Sequence, residues 1–198
     1  MNDVDLNDIT LERNVERFRN GIFLAPSRTY GEKFIEPIIR EHFRWGESNT
    51  NDYDAITKDN ERVEIKATKV LEKYDRGEGP FVERIISEGE KSEIHRLVPF
   101  SECTNRDYDS NIQNVKRDHF EILLYVMLFA DCIKIFKLDS TSIGTDILPN
   151  WSDKHGRYDE VGKSGQFPIN KKNIQWHIEE SLVGGLTWDE VFEIAKGI

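Results

Sequence analysis

Asp54 and the run Val63-Glu64-Ile65-Lys66-Ala67 are the residues whose types and spacing best suit chemistry. Side chains alternate between faces along a strand. Glu64 and Lys66 therefore point one way, and Val63, Ile65 and Ala67 point the other, into a core. A carboxylate and an ammonium on an otherwise apolar strand are costly unless something uses them. A preceding strand, reached across a tight turn, delivers Asp54 beside Glu64. Two carboxylates at close range repel and attract a divalent cation. Oxygen ligands with open water positions suit Mg²⁺, with Mn²⁺ as its substitute. Such a set fits phosphodiester hydrolysis. Asp54 and Glu64 hold the metal, which polarises a phosphate and lowers the pKa of a bound water. Lys66 orients that water or stabilises charge on the phosphate. To act as general base, Lys66 would need a depressed pKa.

The elements that must position these groups are readable from periodicity. Residues 7–19 suit a helix, with Leu11, Val15 and Phe18 at helical spacing. Thr29–Phe43 suits a second helix, with a stripe of Phe34, Ile35, Ile38, Ile39 and Phe43; Thr29 and Glu32 fit a capping box, and Pro37 should kink the helix or move its start. Two short strands follow, near Tyr53–Thr57 and Arg62–Val70, joined by the turn Lys58-Asp59-Asn60. Pro80–Glu88 suits a short helix, residues 99–110 a loop, and Ile112–Lys116 another strand. Phe120–Ala130 and Cys132–Leu138 read as buried strands joined near Asp131, with a helix as the alternative for the first. Residues 150–166 read as loop. Asn170–Leu182 and Trp188–Lys196 read as helices, the latter opened by a Thr187 and Glu190 capping box. Trp176 and Trp188 lie in these helical patterns and suit core packing or a subunit contact. The order predicts a single α/β domain with a central mixed sheet flanked by helices.

Asp54 followed by Glu64-Ile65-Lys66 resembles the motif of the PD-(D/E)xK nuclease superfamily, and within it the type II restriction endonucleases. In that family the hairpin follows a helix carrying another glutamate. Glu32 matches that position, with Glu36 one turn later as its competitor. The family often continues with a Gln-containing strand before a long apolar strand. Gln113, in Ile112–Lys116, and the run from His119 to Tyr125 resemble that segment. The stretch from Lys154 to Phe167 also resembles parts of some members, so the likeness covers about Thr29 to Ile169 with gaps. Tyr53 stands where the family often has proline, and Asp52 competes with Asp54. The resemblance implies a restriction-endonuclease-like core, Mg²⁺ on Asp54 and Glu64, and catalysis by those residues with Lys66, Glu32 and Gln113. Lys116 and Arg117 read as a solvated turn or as phosphate contacts, and Lys154, His155, Arg157 and Lys163 as a solubilising surface loop or as base contacts within a groove. For Lys69, Lys73 and Arg106 the expected role is surface charge or phosphate contact. Breaking both strands of a palindrome requires two active sites, so a homodimer on double-stranded DNA is expected. A repair, junction-resolving or nicking nuclease on the same core, and a catalytically silent DNA-binding module, are the alternatives.

The chain has 198 residues, enough for one domain with its own core. The first residues carry neither an apolar signal core nor an arginine-rich pattern, and the longest apolar run is too short for a bilayer. A cytoplasmic protein with no membrane partner is expected. Neither Cys103 nor Cys132 sits in a CxxC pair, so incidental thiols are favoured over a zinc site or a disulfide framework. The net charge of −10 opposes DNA binding unless cations gather locally or a bound metal offsets clustered carboxylates. The stretch Trp151–Lys172 is relatively basic, so a basic groove on an acidic body is expected.

Overall fold

A computed structural model describes residues 6–27, 29–73, 80, 82–83, 93–144, 146–154 and 161–198. Helix α1 (Leu6–Leu24) buries Val15, Ile22 and Phe23 and sets Phe18 edge-on against Phe192, with ring centroids 5.4 Å apart. It runs past Gly21, beyond the predicted end, because Ile22 and Phe23 extend the apolar stripe; Leu11 lies on the exposed side. The predicted Thr29–Phe43 helix is built in two registers. Thr29–Ile35 is π-helical, and α2 (Glu36–Phe43) is α-helical. Pro37 falls in the first turn of α2, where its missing N–H costs no intrahelical bond. Arg44, left-handed at φ 56°, ends the helix.

Short strands β1 (Gly46–Glu47) and β2 (Ala55–Ile56) lead into β3 (Arg62–Lys69). The turn between β2 and β3 is built as predicted. Asn60 takes φ 63°, and the Thr57 hydroxyl accepts from the N–H groups of Asp59 and Glu61 at 3.2 and 3.1 Å. Strands β6 (Ile122–Leu128) and β7 (Cys132–Asp139) form the predicted buried hairpin. The alternative of a helix at Phe120–Ala130 is thereby replaced by strand. All seven β6 residues are buried, as expected for a strand covered on both faces. It pairs parallel to β3 and antiparallel to β7. Strand β9 (Leu182–Thr187) completes a six-stranded mixed sheet of order β1-β2-β3-β6-β7-β9.

Strand β9 corrects the expected Asn170–Leu182 helix. Only Ile174–Glu180 is helical (α3), and the chain then turns into β9. The Gly184-Gly185 pair obscures the strand pattern. Gly185 is needed there, because a Cβ would sit 2.8 Å from the Ile133 carbonyl oxygen. Helix α4 (Trp188–Ala195) opens with the predicted capping box: Thr187 Oγ1 accepts from Glu190 N–H at 3.3 Å, and Glu190 accepts from Thr187 N–H at 2.7 Å. Trp188 is core, as expected, with Nε1 donating to the Phe129 carbonyl at 3.1 Å. Trp176 is partly buried against the second core.

A second, three-stranded sheet orders as β4 (Leu71–Glu72), β5 (Tyr108–Val115) and β8 (Gly165–Ile169). Strand β5 starts inside the expected 99–110 loop, and β8 takes the last residues of the expected 150–166 loop. At Gly165 any Cβ would lie 2.0 Å from the Trp151 ring, so glycine lets the indole close over the strand. The main sheet buries two cores. Val63, Ile65, Ile122 and Leu124 face α1, α2 and α4 on one side. Leu123, Tyr125 and Met127 face the small sheet on the other. The protein is thus α/β with a central mixed sheet flanked by helices. Among the described residues no helix is long and apolar enough to cross a membrane. The predicted Pro80–Glu88 helix lies largely outside the described residues.

Candidate active site

Asp54 marks the point where the β2–β3 ladder gives way to side-chain bonding. Its N–H donates to the Val63 carbonyl at 2.8 Å, while its Oδ2 accepts from the Ile65 N–H at 2.7 Å. That second bond fixes the carboxylate beside β3. Glu64 and Lys66 share one face of β3, as alternation requires, and their charged ends are in direct ion-pair contact. Their side chains are only 12% and 25% exposed, so the pair is held largely out of water. Glu36, the first residue of α2, reaches the same place. The π-helical turn before it puts Glu32 one turn away on the same side, a placement typical of functional sites.

These groups line one cavity of about 520 Å³ with Thr50, Asn51, Asp52, Asn114 and Lys116. Five carboxyl groups (Glu32, Glu36, Asp52, Asp54, Glu64) face two ammonium groups (Lys66, Lys116) across it. The cavity is therefore acidic on balance, as clustered carboxylates at a metal site would make it. Burial, followed by the neighbouring Asp54 charge, pushes the Glu36 carboxyl from 4.5 up to about 8. Burial also raises Asp54 against the pull of the Ile65 N–H and of Lys66, and raises Glu64 against the pull of Lys66. For Lys66 burial works to lower the pKa, but the Glu64 carboxylate and its neighbours outweigh it, and the ammonium is held above its ordinary 10.5. A lysine held protonated suits an electrostatic partner for phosphate or water.

Of the two upstream glutamates, Glu36 is the inner one and Glu32 stands exposed at the rim. Of the two aspartates, Asp54 is anchored by β3, whereas Asp52 is exposed and 3.2 Å from His119. Gln113 does not line the cavity; it is exposed on β5, and Asn114 takes its place. Lys116 lines the cavity, whereas Arg117 donates to the Ile143 carbonyl at 3.0 Å. Lys154 is bridged to Ser164 beside the small sheet, and Lys163 is exposed in the preceding turn; neither lines the cavity. His155 and Arg157 lie outside the described residues.

Of the three further lysine and arginine expectations, the one for Lys69 changes. Lys69 is buried, donating to the Phe23 and Ala25 carbonyls at 2.6 and 2.9 Å and pairing with Glu93 at 2.6 Å. It faces away from Lys66 and ties the end of α1 to the sheet, so neither surface charge nor phosphate contact describes it. Arg106 pairs with Glu102 at 2.6 Å and Glu72 at 3.2 Å, and Lys73 with Asp109 at 3.1 Å. Asn114, Thr50 and Asn51 escaped the sequence reading, which had only a polar loop and an irregular strand to go on.

Among the described residues no three Asp, Glu, His or Cys side chains converge into a ready-made metal cage. The donor set still fits Mg²⁺. That ion usually takes one or two carboxylates, keeps several waters and completes its shell with substrate phosphate. Asp54 and Glu64 supply the carboxylates, and the surplus of acid in the cavity gives a cation electrostatic reason to enter.

The chain matches no family model, and no curated protein matches it. What this site does therefore rests on its own chemistry.

Proposed function

We propose that the chain is a nuclease that hydrolyses phosphodiester bonds in DNA, on a restriction-endonuclease-like core of the PD-(D/E)xK type. The supporting observation is the convergence of Asp54, Glu64, Lys66 and Glu36 in one cavity whose excess of carboxyl groups would repel a phosphate unless a cation joined them. In this reading Asp54 and Glu64 would hold Mg²⁺, which when bound would supply Lewis-acid polarisation of the phosphate and a water of lowered pKa. Lys66, protonated and pinned by Glu64, turns toward the substrate phosphate and offsets the negative charge that grows on it. The Ile65 N–H fixes one Asp54 oxygen and leaves the other free for a ligand. Glu36, its carboxyl pushed up to about 8 beside Asp54 and Glu64, would give up its proton more readily with a cation at the site. Double-stranded DNA as substrate, a homodimer with one site per strand, and a site-specific restriction role complete the reading.

Digestion of a long unmethylated DNA with and without Mg²⁺, alongside Glu64→Ala and Lys66→Ala, tests it. Discrete, Mg²⁺-dependent fragments lost in both variants are expected. Ragged or structure-dependent cutting would favour a repair or nicking nuclease. Duplex binding without cutting would favour a silent module, and neither binding nor cutting would remove nucleic acid from the account.

A further inference from the structure

Strand β5 leaves its regular course where it passes the cavity. Against β8 it pairs Ile112 with Phe167 and Val115 with Gly165, so three steps on β5 answer two on β8. This extra residue is a β-bulge, which bends a strand and re-aims a side chain. Both Ile112 and Val115 stay buried across it. With regular alternation one of them would face solvent. The bulge is absorbed at Asn114, whose φ is +55°. Asparagine tolerates that left-handed conformation better than most residues, but its cost is still real.

The consequence is a change of direction. Gln113 is exposed and off the cavity, whereas Asn114 and Lys116 line it opposite Glu64 and Lys66. The Asn114 carboxamide makes no hydrogen bond to another described residue, so the core gains nothing from it directly. Lys116 is close enough to favour the Glu64 carboxylate electrostatically. One wall of the cavity thus carries acid with a single lysine, and the β5 wall carries an amide donor and a second ammonium.

We propose that Asn114 and Lys116 form a phosphate-binding wall that grips the substrate backbone at a phosphate flanking the scissile one. Asn114 donates from Nδ2 and Lys116 from Nζ to nonbridging oxygens. The inference rests on the nuclease reading, because it takes the cavity's ligand to be a phosphodiester chain. It assigns the bulge the task of turning β5 toward that chain.

The test is duplex binding, read by fluorescence anisotropy over a salt series. The probe is a mixed-sequence DNA duplex, with Ca²⁺ at fixed concentration in place of Mg²⁺ and intact probe verified afterwards. Asn114→Gly keeps the left-handed backbone without strain and deletes only the carboxamide. It should fold as well as wild type and bind about tenfold more weakly, the loss of one hydrogen bond to a charged group. Its salt slope should be unchanged. Lys116→Ala should lower the slope of log K against log salt by about 0.9, the release of one phosphate contact. Asn114→Asp, which also tolerates positive φ, should bind more weakly still, and it serves as the second variant if the glycine variant folds poorly. Gln113→Ala should bind as wild type. Wild-type affinity in both Asn114 variants would overturn the proposal while leaving the nuclease reading standing, as would an equal loss in Gln113→Ala. No duplex binding by the wild-type protein would remove both together.

Discussion

Replacing Glu36 with glutamine isolates the electrostatics of the cavity from any reaction. In the folded protein the Glu36 carboxyl titrates at about 8, against an ordinary 4.5. The folded state therefore retains a proton that the unfolded chain has released. Stability from this group is fully present below pH 4.5 and is lost as pH rises toward 8. For a group fully shielded from water that interval is worth about 5 kcal/mol. Glu36 keeps partial exposure, and solvent screening reduces the expected effect to about 2 kcal/mol. Glutamine mimics the protonated acid and cannot release the proton. Urea denaturation of wild type and Glu36→Gln in EDTA, at a series of pH values from 5 to 8.5, measures the difference. The curves should coincide near pH 5 and diverge upward, with Glu36→Gln the more stable by about 2 kcal/mol at pH 8.5. Mg²⁺ should stabilise wild type more at pH 8.5 than at pH 5. Parallel stability curves for the two proteins across the range would refute the account of Glu36.

His177 should act with the opposite sign. It is fully buried, accepts or donates at Nδ1 with the Tyr125 hydroxyl at 2.8 Å, and burial pushes its pKa from 6.5 down to about 4. Between those values the unfolded chain binds a proton that the folded one refuses, so stability is lost as pH falls from 6.5 toward 4, by about 3 kcal/mol, and His177→Phe should flatten that limb in a denaturation series extended down to pH 4. Lys69→Met should cost about 3 kcal/mol and lower Tm, because two backbone carbonyls and Glu93 lose their buried partner. Gly165→Ala should cost about 2 kcal/mol by driving a methyl group into the Trp151 ring, and near-UV circular dichroism should report the displaced indole.

The parts of the fold legible in the sequence were those whose signal is local. The period-2 run through Glu64 and Lys66, the Asn60 turn, the apolar β6–β7 hairpin and the Thr187 cap each depend on a few neighbouring residues. The same local logic placed Asp54 beside Glu64. Strand β9 was hidden because its fit depends on contact with Ile133, not on β-forming residues. The second sheet was hidden because β4, β5 and β8 meet from distant stretches of chain. Asn114 was displaced onto the cavity by a bulge that only the pairing with β8 reveals, whereas the family resemblance pointed to Gln113. Lys69 looked like a continuation of the charged face of β3. It lies an odd number of residues from Lys66, and that places it on the opposite face, under Tyr30 at 4.6 Å.

The strand that anchors the sheet also sets a hazard for the chain before it folds. Ile122–Leu128 is seven uncharged residues, fully buried once β3 and β7 flank it. Its parallel partner β3 is far upstream, so that edge stays open until a long loop has closed. A nascent chain thus displays a segment suited to self-association into cross-β stacks. Its ends are guarded by Glu121 and Asp131, charges that interrupt such stacking. Both guards acquire native work: Glu121 pairs with Arg62 at the start of β3, and Asp131 accepts the Phe100 N–H at 2.8 Å. Their neutralisation should therefore show first as inclusion bodies during overexpression, with a smaller change in the equilibrium stability of whatever protein does fold.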